Sequence, residues 1–349
     1  MLRITASTST AAAQHYFGES LSRGDYYMEG QEIAATWGGR GAHILGLSGR
    51  IDREAFLRLL ENRKPDGMRL TPRTVANRRP GYDFTFDVPK SVSVLHALSS
   101  DERIVEAMRR AINETMREME SQMHTRVRKN GAFEDRKTGN MVWAEFIHQT
   151  SRPALLPEEI EAQLLASDPW LEGFRDRKGK LALPDPHLHC HVYVVNATHD
   201  SQEHTWKAGE FMRIKRDATY FQAVYHVRLA QELQKLGYLI EPTADAFEIA
   251  GVPRSLIEIF SRRAQEVEAA AKALGISSAR AKARLGALTR RGKVSALGMT
   301  PLKKLWRSFL SEQEAQRIGE IASAARNAIQ GVSRDSAVVA SKSITLARP

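Results

Sequence analysis

In the stretch Pro186-His187-Leu188-His189-Cys190-His191-Val192-Tyr193-Val194-Val195, imidazoles and apolar side chains alternate. A strand sends successive side chains to opposite faces. His187, His189 and His191 then share one face, while Leu188, Cys190, Val192 and Val194 point into a core. Two imidazoles two residues apart on a strand can converge on one ion, and a third ligand must come from another element. The segment Val142-Trp143-Ala144-Glu145-Phe146-Ile147-His148 is a second strand candidate that ends in such a histidine. Three neutral imidazoles leave coordination positions open for water or substrate, as a catalytic metal requires. The same alternation also suits a histidine-rich surface strand or adventitious metal binding, and the strand alone does not separate these.

Outward from this pair, residues 11–22 have a helical pattern that ends near Gly24, and 30–50 is glycine-rich and reads as loop and turns. Asp52 to Leu60 suits a short helix with an aspartate N-cap. Tyr82 to Phe86 alternates as a strand, closed by Pro89. Ser99 and Glu102 form a capping box for a long helix in which Ile104, Met108, Ile112, Met116, Met119 and Met123 recur at helical spacing. Asn130-Gly131 and Thr138-Gly139-Asn140 are turn signals. Pro157 suits the first turn of a short acidic helix. Ala218, Phe221, Tyr225, Leu229, Leu233 and Leu236 line another long helix, stopped by Gly237. From about 252 the pattern is helical only, with Thr300-Pro301 as a cap and first turn. Residues 331–349 are rich in Ser, Ala and Val without a clear period and are expected to be disordered. The order is mixed α and β, then all-α, in a fold of α+β class.

Composition narrows the class of protein. The 349 residues are 42% hydrophobic and 26% charged, which is ordinary globular composition. No run of about 20 apolar residues exists to span a membrane. Residues 1–30 carry no apolar run after a basic start, so no secretory signal is expected. The single cysteine, Cys190, excludes an intrachain disulfide and a cysteine zinc cluster, and suits a reducing cytoplasm. The formal charge is +10, which favours a polyanionic partner, chiefly nucleic acid. Nine Lys or Arg and no Asp or Glu lie between Arg280 and Arg307, so the rest of the chain is nearly balanced. That segment reads either as a grip on polyphosphate, with salt-sensitive affinity, or as a solvated helical face.

Near the start stand Tyr16 and, after a polar stretch, Tyr26-Tyr27. A phenol with its pKa near 10 is a poor nucleophile at neutral pH unless a cation and a base assist it. Taken alone, these tyrosines read as packing. With the histidines they are part of a larger resemblance. Tyr16 with Asp25-Tyr26-Tyr27, Trp37-Gly38-Gly39-Arg40-Gly41-Ala42 with Leu45-Gly46-Leu47-Ser48-Gly49, and Arg79-Pro80-Gly81-Tyr82-Asp83-Phe84-Thr85-Phe86-Asp87-Val88-Pro89-Lys90-Ser91-Val92-Ser93 are three of its blocks. His148-Gln149-Thr150-Ser151-Arg152 and Pro186-His187-Leu188-His189-Cys190-His191 are two more, and Gly251-Val252-Pro253 with Phe260-Ser261 and Arg263 is a weaker sixth. Present in this order up to about residue 265, they resemble the relaxase domain of the MobF conjugative relaxases, the TraI/TrwC type of HUH endonuclease.

The resemblance implies a central antiparallel sheet flanked by helices, with a helical C-terminal region that clasps DNA. On this basis residues 1–245 are expected to form the catalytic core, with 153–184 as an insertion, and 246–330 the helical region, followed by the 331–349 tail. The implied activity is site- and strand-specific nicking and strand transfer at a plasmid origin of transfer, through a 5′-phosphotyrosyl link. Tyr16 corresponds to the attacking tyrosine and Tyr26 to the tyrosine of a second transfer, with Tyr27 accessory. His148, His189 and His191 correspond to ligands of a divalent ion, Mg2+ or Mn2+, and His187 to a neighbour of the ligands. Asp83 corresponds to the acid that acts as base or orients a metal histidine.

The implied partners are single-stranded and hairpin origin DNA and other relaxosome and conjugation proteins, in a bacterial cytoplasm. Arg78, Arg79, Lys90 and Arg152 are candidate phosphate contacts, and Arg290, Arg291 and Lys293 candidate duplex contacts. Phe17 stands where the family often has a tyrosine, and the spacing from His148 to His189 exceeds the family's. No G-x-x-x-x-G-K-[ST] occurs, so no P-loop ATPase is expected in these residues. A rolling-circle replication initiator shares this chemistry, but its tyrosine usually follows the histidine pair, whereas Tyr16 precedes it. A DNA-binding module with a degenerate site is the alternative from another class, and the intact set of Tyr16, Asp83 and three histidines argues against it.

Overall fold

The histidine strand forms the centre of the molecule. A computed structural model describes residues 2–23, 32–73, 78–129, 132–176, 178–291 and 297–328. Its strands are β1 (Leu2–Ala6), β2 (Glu32–Gly38), β3 (Gly81–Asp87), β4 (His124–Lys129), β5 (Ala132–Lys137), β6 (Trp143–Thr150), β7 (Ala154–Leu155), β8 (Ala182–Leu183) and β9 (Pro186–Val195), with short later hairpins. Five of them form one sheet in the order β1-β3-β9-β6-β2, every neighbour antiparallel. The helices are α1 (Thr10–Arg23), α2 (Arg40–Ile44), α3 (Arg53–Leu60), α4 (Lys90–Ser99), α5 (Arg103–Ser121), α6 (Glu158–Ser167), α7 (Met212–Arg216), α8 (Ala218–Lys235), α9 (Arg254–Ile259), α10 (Arg262–Ala273), α11 (Ala279–Leu288) and α12 (Met299–Ser308). A further helix covers 312–328.

Each face of the sheet is covered. Leu188, Cys190, Val192 and Val194 of β9 join Phe84 and Phe86 of β3 in the larger core, under α4, α5 and α8. The methionine and isoleucine positions of α5, from Ile104 to Met119, are all fully buried there, as is Met123 just beyond the helix. The opposite face packs Tyr193, Val195, Phe146 and Ala144 against Phe17 of α1 and Phe56 and Leu59 of α3. This is an α+β fold with a central antiparallel sheet between helices. Cys190 is a buried free thiol. No helix among the described residues is long and apolar enough to cross a membrane.

Several local expectations change. The glycine-rich stretch holds β2 and α2, not loop alone. Its glycines permit close approach: Gly39 has φ +95, and a Cβ there would lie 2.3 Å from the Met141 carbonyl oxygen. The helix expected from Ser99 starts at Arg103, because Asp101 accepts from the Arg103 amide and Ser99 closes α4. Asp52 does cap α3, accepting from the Ala55 amide at 2.7 Å. The helix expected at Thr300-Pro301 begins at Met299, after Gly298. The helix end near Gly24, the Asn130-Gly131 turn and the 331–349 tail lie outside the described residues. On either side of that turn, β4 and β5 pair from His124↔Lys137 to Lys129↔Ala132.

Between β6 and β9 the chain leaves the sheet and returns. Thr150 pairs with Pro186, and the Ser151 hydroxyl accepts from the Asp185 amide at 2.9 Å. The excursion holds the β7–β8 pair and α6. The C-terminal helices pack on it and share the larger core, through Leu256, Phe260, Leu302 and Trp306. Trp306 Nε1 donates to the Pro184 carbonyl at 3.0 Å. Beside it Arg262 donates from Nε to Asp185 at 2.8 Å, an ion pair almost sealed from solvent. Burial raises the Asp185 pKa, opposed by the Arg262 and Lys90 charges. Removing one partner of a buried pair strands the other charge. Arg262→Ala is therefore expected to destabilise the protein by about 3–5 kcal/mol, measured by urea unfolding.

Candidate active site

The polar ends of three strands meet beside Tyr16 of α1. In the sheet register, His148 of β6 lies opposite His189 of β9, and Thr85 of β3 lies opposite His191. The excursion after Thr150 thus leaves His148 beside the histidine strand. The ring centroids of His148, His189 and His191 form a nearly equilateral triangle, with separations of 5.2, 5.3 and 5.2 Å. A point equidistant from rings so spaced lies about 3 Å from each centroid, close to a metal–nitrogen bond plus the distance from that nitrogen to the ring centre.

Hydrogen bonds set the tautomers. The His189 Nδ1 donates to the His187 carbonyl at 2.9 Å, which leaves the Nε2 lone pair for an ion. Burial holds the His189 pKa well below its usual value, reinforced by His187, His148 and His191, so the ring is neutral and able to ligate. His191 Nδ1 lies 2.9 Å from both carboxylate oxygens of Asp83, with the Thr85 hydroxyl at 3.4 Å. With that N–H given to Asp83, Nε2 is the accepting nitrogen, and the Tyr16 hydroxyl donates to it at 3.2 Å. The donor set suits a metal. Yet no three or more His, Cys, Asp or Glu side chains among the described residues form a finished metal cage.

Tyr16 is held by its neighbour. Phe17 is buried, with ring centroids 4.8 Å from Tyr193 and 5.0 Å from Phe146. His187 turns aside to Asp87, at 3.3 Å. Burial alone would raise the Asp87 pKa, but the hydrogen bond and charge of His187 hold it well below the carboxylate range.

The structure thus brings together Tyr16, Asp83, His148, His189 and His191, and adds Thr85 and Phe17, which the sequence reading left unassigned. Thr85 could have been found from its place two residues after Asp83 on the same strand face. Tyr26, Tyr27 and Lys293 lie outside the described residues.

The cations are scattered. Arg78 and Arg79 line an open cavity of about 500 Å3 with Arg73 and Lys215. Arg78 also donates to the Leu60 carbonyl, and burial lowers its pKa. Lys90 donates to the Pro186 carbonyl at 2.9 Å, and burial lowers its pKa too. Arg152 is half-buried and Arg290 exposed. Arg291 is engaged by Glu266 at 2.8 Å.

Comparison with known proteins fits this geometry. The TrwC relaxase family profile matches residues 10–313. The multifunctional conjugation protein TraI of Escherichia coli is 32% identical over 281 residues, which is 77% of this chain and 14% of that protein. The chain therefore spans only 14% of the length of that curated relative. A structure of the conjugative relaxase TrwC with oriT DNA and bound metal is 29% identical, with a TM-score of 0.71 over 91% of this chain and 99% of that one. TrwC complexed with a 27-mer DNA comprising the recognition hairpin and the cleavage site is 28% identical, with a TM-score of 0.69 and the same coverage. The antiparallel sheet with its helical C-terminal region is the TrwC relaxase fold, and the chain belongs to the TrwC relaxase family.

If Asp83 sets the His191 nitrogen that faces an ion, its charge matters more than its shape. Asp83→Asn is expected to weaken binding of Mn2+ about 10- to 100-fold in a calorimetric titration. An unchanged affinity would detach Asp83 from this role.

Proposed function

We propose that this chain nicks one DNA strand at an origin of transfer and passes it on by transesterification through Tyr16. The observation that carries this reading is the line Tyr16–His191–Asp83, a phenol hydrogen-bonded to an imidazole whose other nitrogen is held by a carboxylate. Such a line seats the phenol beside the histidines and lets Asp83 fix the tautomer and orientation of His191. The Tyr16 oxygen gives up its proton to water and forms a bond to phosphorus, the bond from phosphorus to the 3′ oxygen breaks, and that oxygen takes up a proton from water. The products are a 5′-phosphotyrosyl link and a free 3′-OH. Because the phosphodiester energy is kept in that link, the strand can be rejoined.

His148, His189 and His191 would hold a divalent metal, which when bound supplies positive charge to the phosphate in the transition state. Three imidazoles suit zinc, nickel or copper better than magnesium. Phe17, packed on Tyr193 and Phe146, keeps the Tyr16 phenol beside these residues. Tyr26 would serve a second transfer, with Tyr27 accessory. Arg78, Arg79 and Arg152 would contact backbone phosphates, as would Lys90 once freed from the Pro186 carbonyl. The hairpin and single strand of the origin are the partners this reading requires, with other relaxosome proteins, in the bacterial cytoplasm.

The test uses the protein, Mn2+ or Mg2+, and a labelled single strand bearing the cognate origin, followed on a denaturing gel. A covalent protein–DNA adduct is expected. Tyr16→Phe is expected to lower its rate of formation by at least about 100-fold, and a chelator to abolish it. Adduct persisting in Tyr16→Phe, or full activity of both His189→Ala and His191→Ala, would sink the assignment.

A further inference from the structure

The excursion between β6 and β9 reaches the basic end of α11. Glu266 of α10 is the node: it accepts from the Leu155 amide at 2.8 Å, from Arg291 Nη1 at 2.8 Å and from Arg263 Nη1 at 2.9 Å. Arg291 also reaches the Pro153 carbonyl at 3.5 Å and Asp176 of the excursion at 3.8 Å. Arg263 Nη2 donates to the Gly286 carbonyl at 3.0 Å and the Thr289 hydroxyl at 2.8 Å. Residues 289–291 are thereby stapled against Pro153, one residue after Arg152 and five after His148.

Arg290 lies between Thr289 and Arg291, so the staple fixes its backbone while its side chain stays exposed. Partial desolvation of its guanidinium lowers its pKa first, and the charges of Arg152, Arg3 and Arg263 lower it further, with Tyr16 opposing them. Among the described residues, no carboxylate is paired with Arg3, Arg152 or Arg290. Three guanidinium groups gathered near a phenol without a counter-charge repel one another, and a polyanionic strand would relieve that repulsion.

We propose that Arg290 binds a phosphodiester of the reacting strand beside Tyr16, and that the Glu266–Arg291 staple on the excursion positions it there. This rests on the strand-transfer reading above. It gives Arg290 a place at the reacting strand and not on a distant duplex, and gives the excursion a purpose. Arg290 is the contact. Glu266 is a positioning residue that acts through it.

The test measures binding of a fluorescein-labelled, mixed-sequence 20-nucleotide single strand with a chelator present, across a salt series. Arg290→Ala is expected to weaken binding about tenfold at 0.1 M salt. It should also lower the slope of log affinity against log salt by about 0.7, the loss of one phosphate contact. Arg290→Lys should keep the slope, and Arg254→Ala, an exposed cation elsewhere, should match the wild type. Glu266→Gln should weaken binding, and the double variant with Arg290→Ala should bind no more weakly than Arg290→Ala alone. An unchanged salt slope in Arg290→Ala overturns the phosphate contact, and additive losses in the double variant overturn the staple. In both cases the strand-transfer reading stands, because the wild type binds. A wild type that does not bind the single strand overturns this proposal, whereas the adduct assay on the cognate origin decides the strand-transfer reading separately.

Discussion

Strand β9 constrains everything around it. It lies third of five strands, so both its edges are hydrogen-bonded and both its faces must be covered. One face is apolar along its length. The other changes character: Tyr193 and Val195 are buried and apolar, whereas His187, His189 and His191 are partly open. Helix α1 covers only the apolar end, anchored by Phe17 in an aromatic cluster with Phe146, Tyr193 and Phe56. The next residue toward the polar end is Tyr16. The phenol therefore sits where the aromatic packing stops and the imidazoles begin, and a hydrophobic contact sets its position more than any polar one does.

The polar face is matched strand against strand. Asp83, Thr85 and Asp87 alternate on β3 beside the three histidines of β9. Each carboxylate takes an outer histidine: Asp83 holds His191, and Asp87 holds His187. The middle ring, His189, is left to a backbone carbonyl and the other imidazoles. Crowded by neighbours that would repel a proton, it stays neutral, which is the state a metal ligand needs. The outer carboxylates thus fix the outer rings, and the middle ring is left neutral.

Much of this was legible in the sequence because it depends on period. The alternation from His187 to Val195 and the helical spacing from Ile104 to Met119 both describe a single face against a core, and both faces are buried as expected. Helix α4 escaped notice for the opposite reason. Ser91 to Leu98 are all buried, so no polar face marks its turns. Strand β2 was hidden among glycines whose role is close approach to Met141 and Trp143, a non-local contact. Ser99 and Glu102 imitated a capping box, but a buried Asp101, bonded to Arg103 and Tyr238, starts the helix later. In the site, the histidines followed from spacing, whereas Tyr16 and Asp83 could be assigned only through the resemblance. Their contact spans the folded chain, and no local pattern encodes it. The surroundings of Arg290 depend on the packing of α10, α11 and the excursion together, so they too were out of reach.

The long separation of His148 from His189 is the feature that most threatened the site on paper, and loop-closure physics explains why it does not. Closure entropy grows only with the logarithm of loop length, so lengthening a connection costs little if its ends stay in register. The ends here are pinned: Thr150 pairs with Pro186, and Ser151 and Asp185 exchange hydrogen bonds through backbone and hydroxyl. The excursion itself is not idle chain. It supplies the Asp185 carboxylate to Arg262, the Pro184 carbonyl to Trp306 and the Leu155 amide to Glu266. Arg262 and Glu266 lie on α10, and Trp306 on α12. Moving the excursion would move those helices relative to the sheet. One segment therefore both preserves the register that brings the histidines together and fixes where α10 and α12 stand against the sheet.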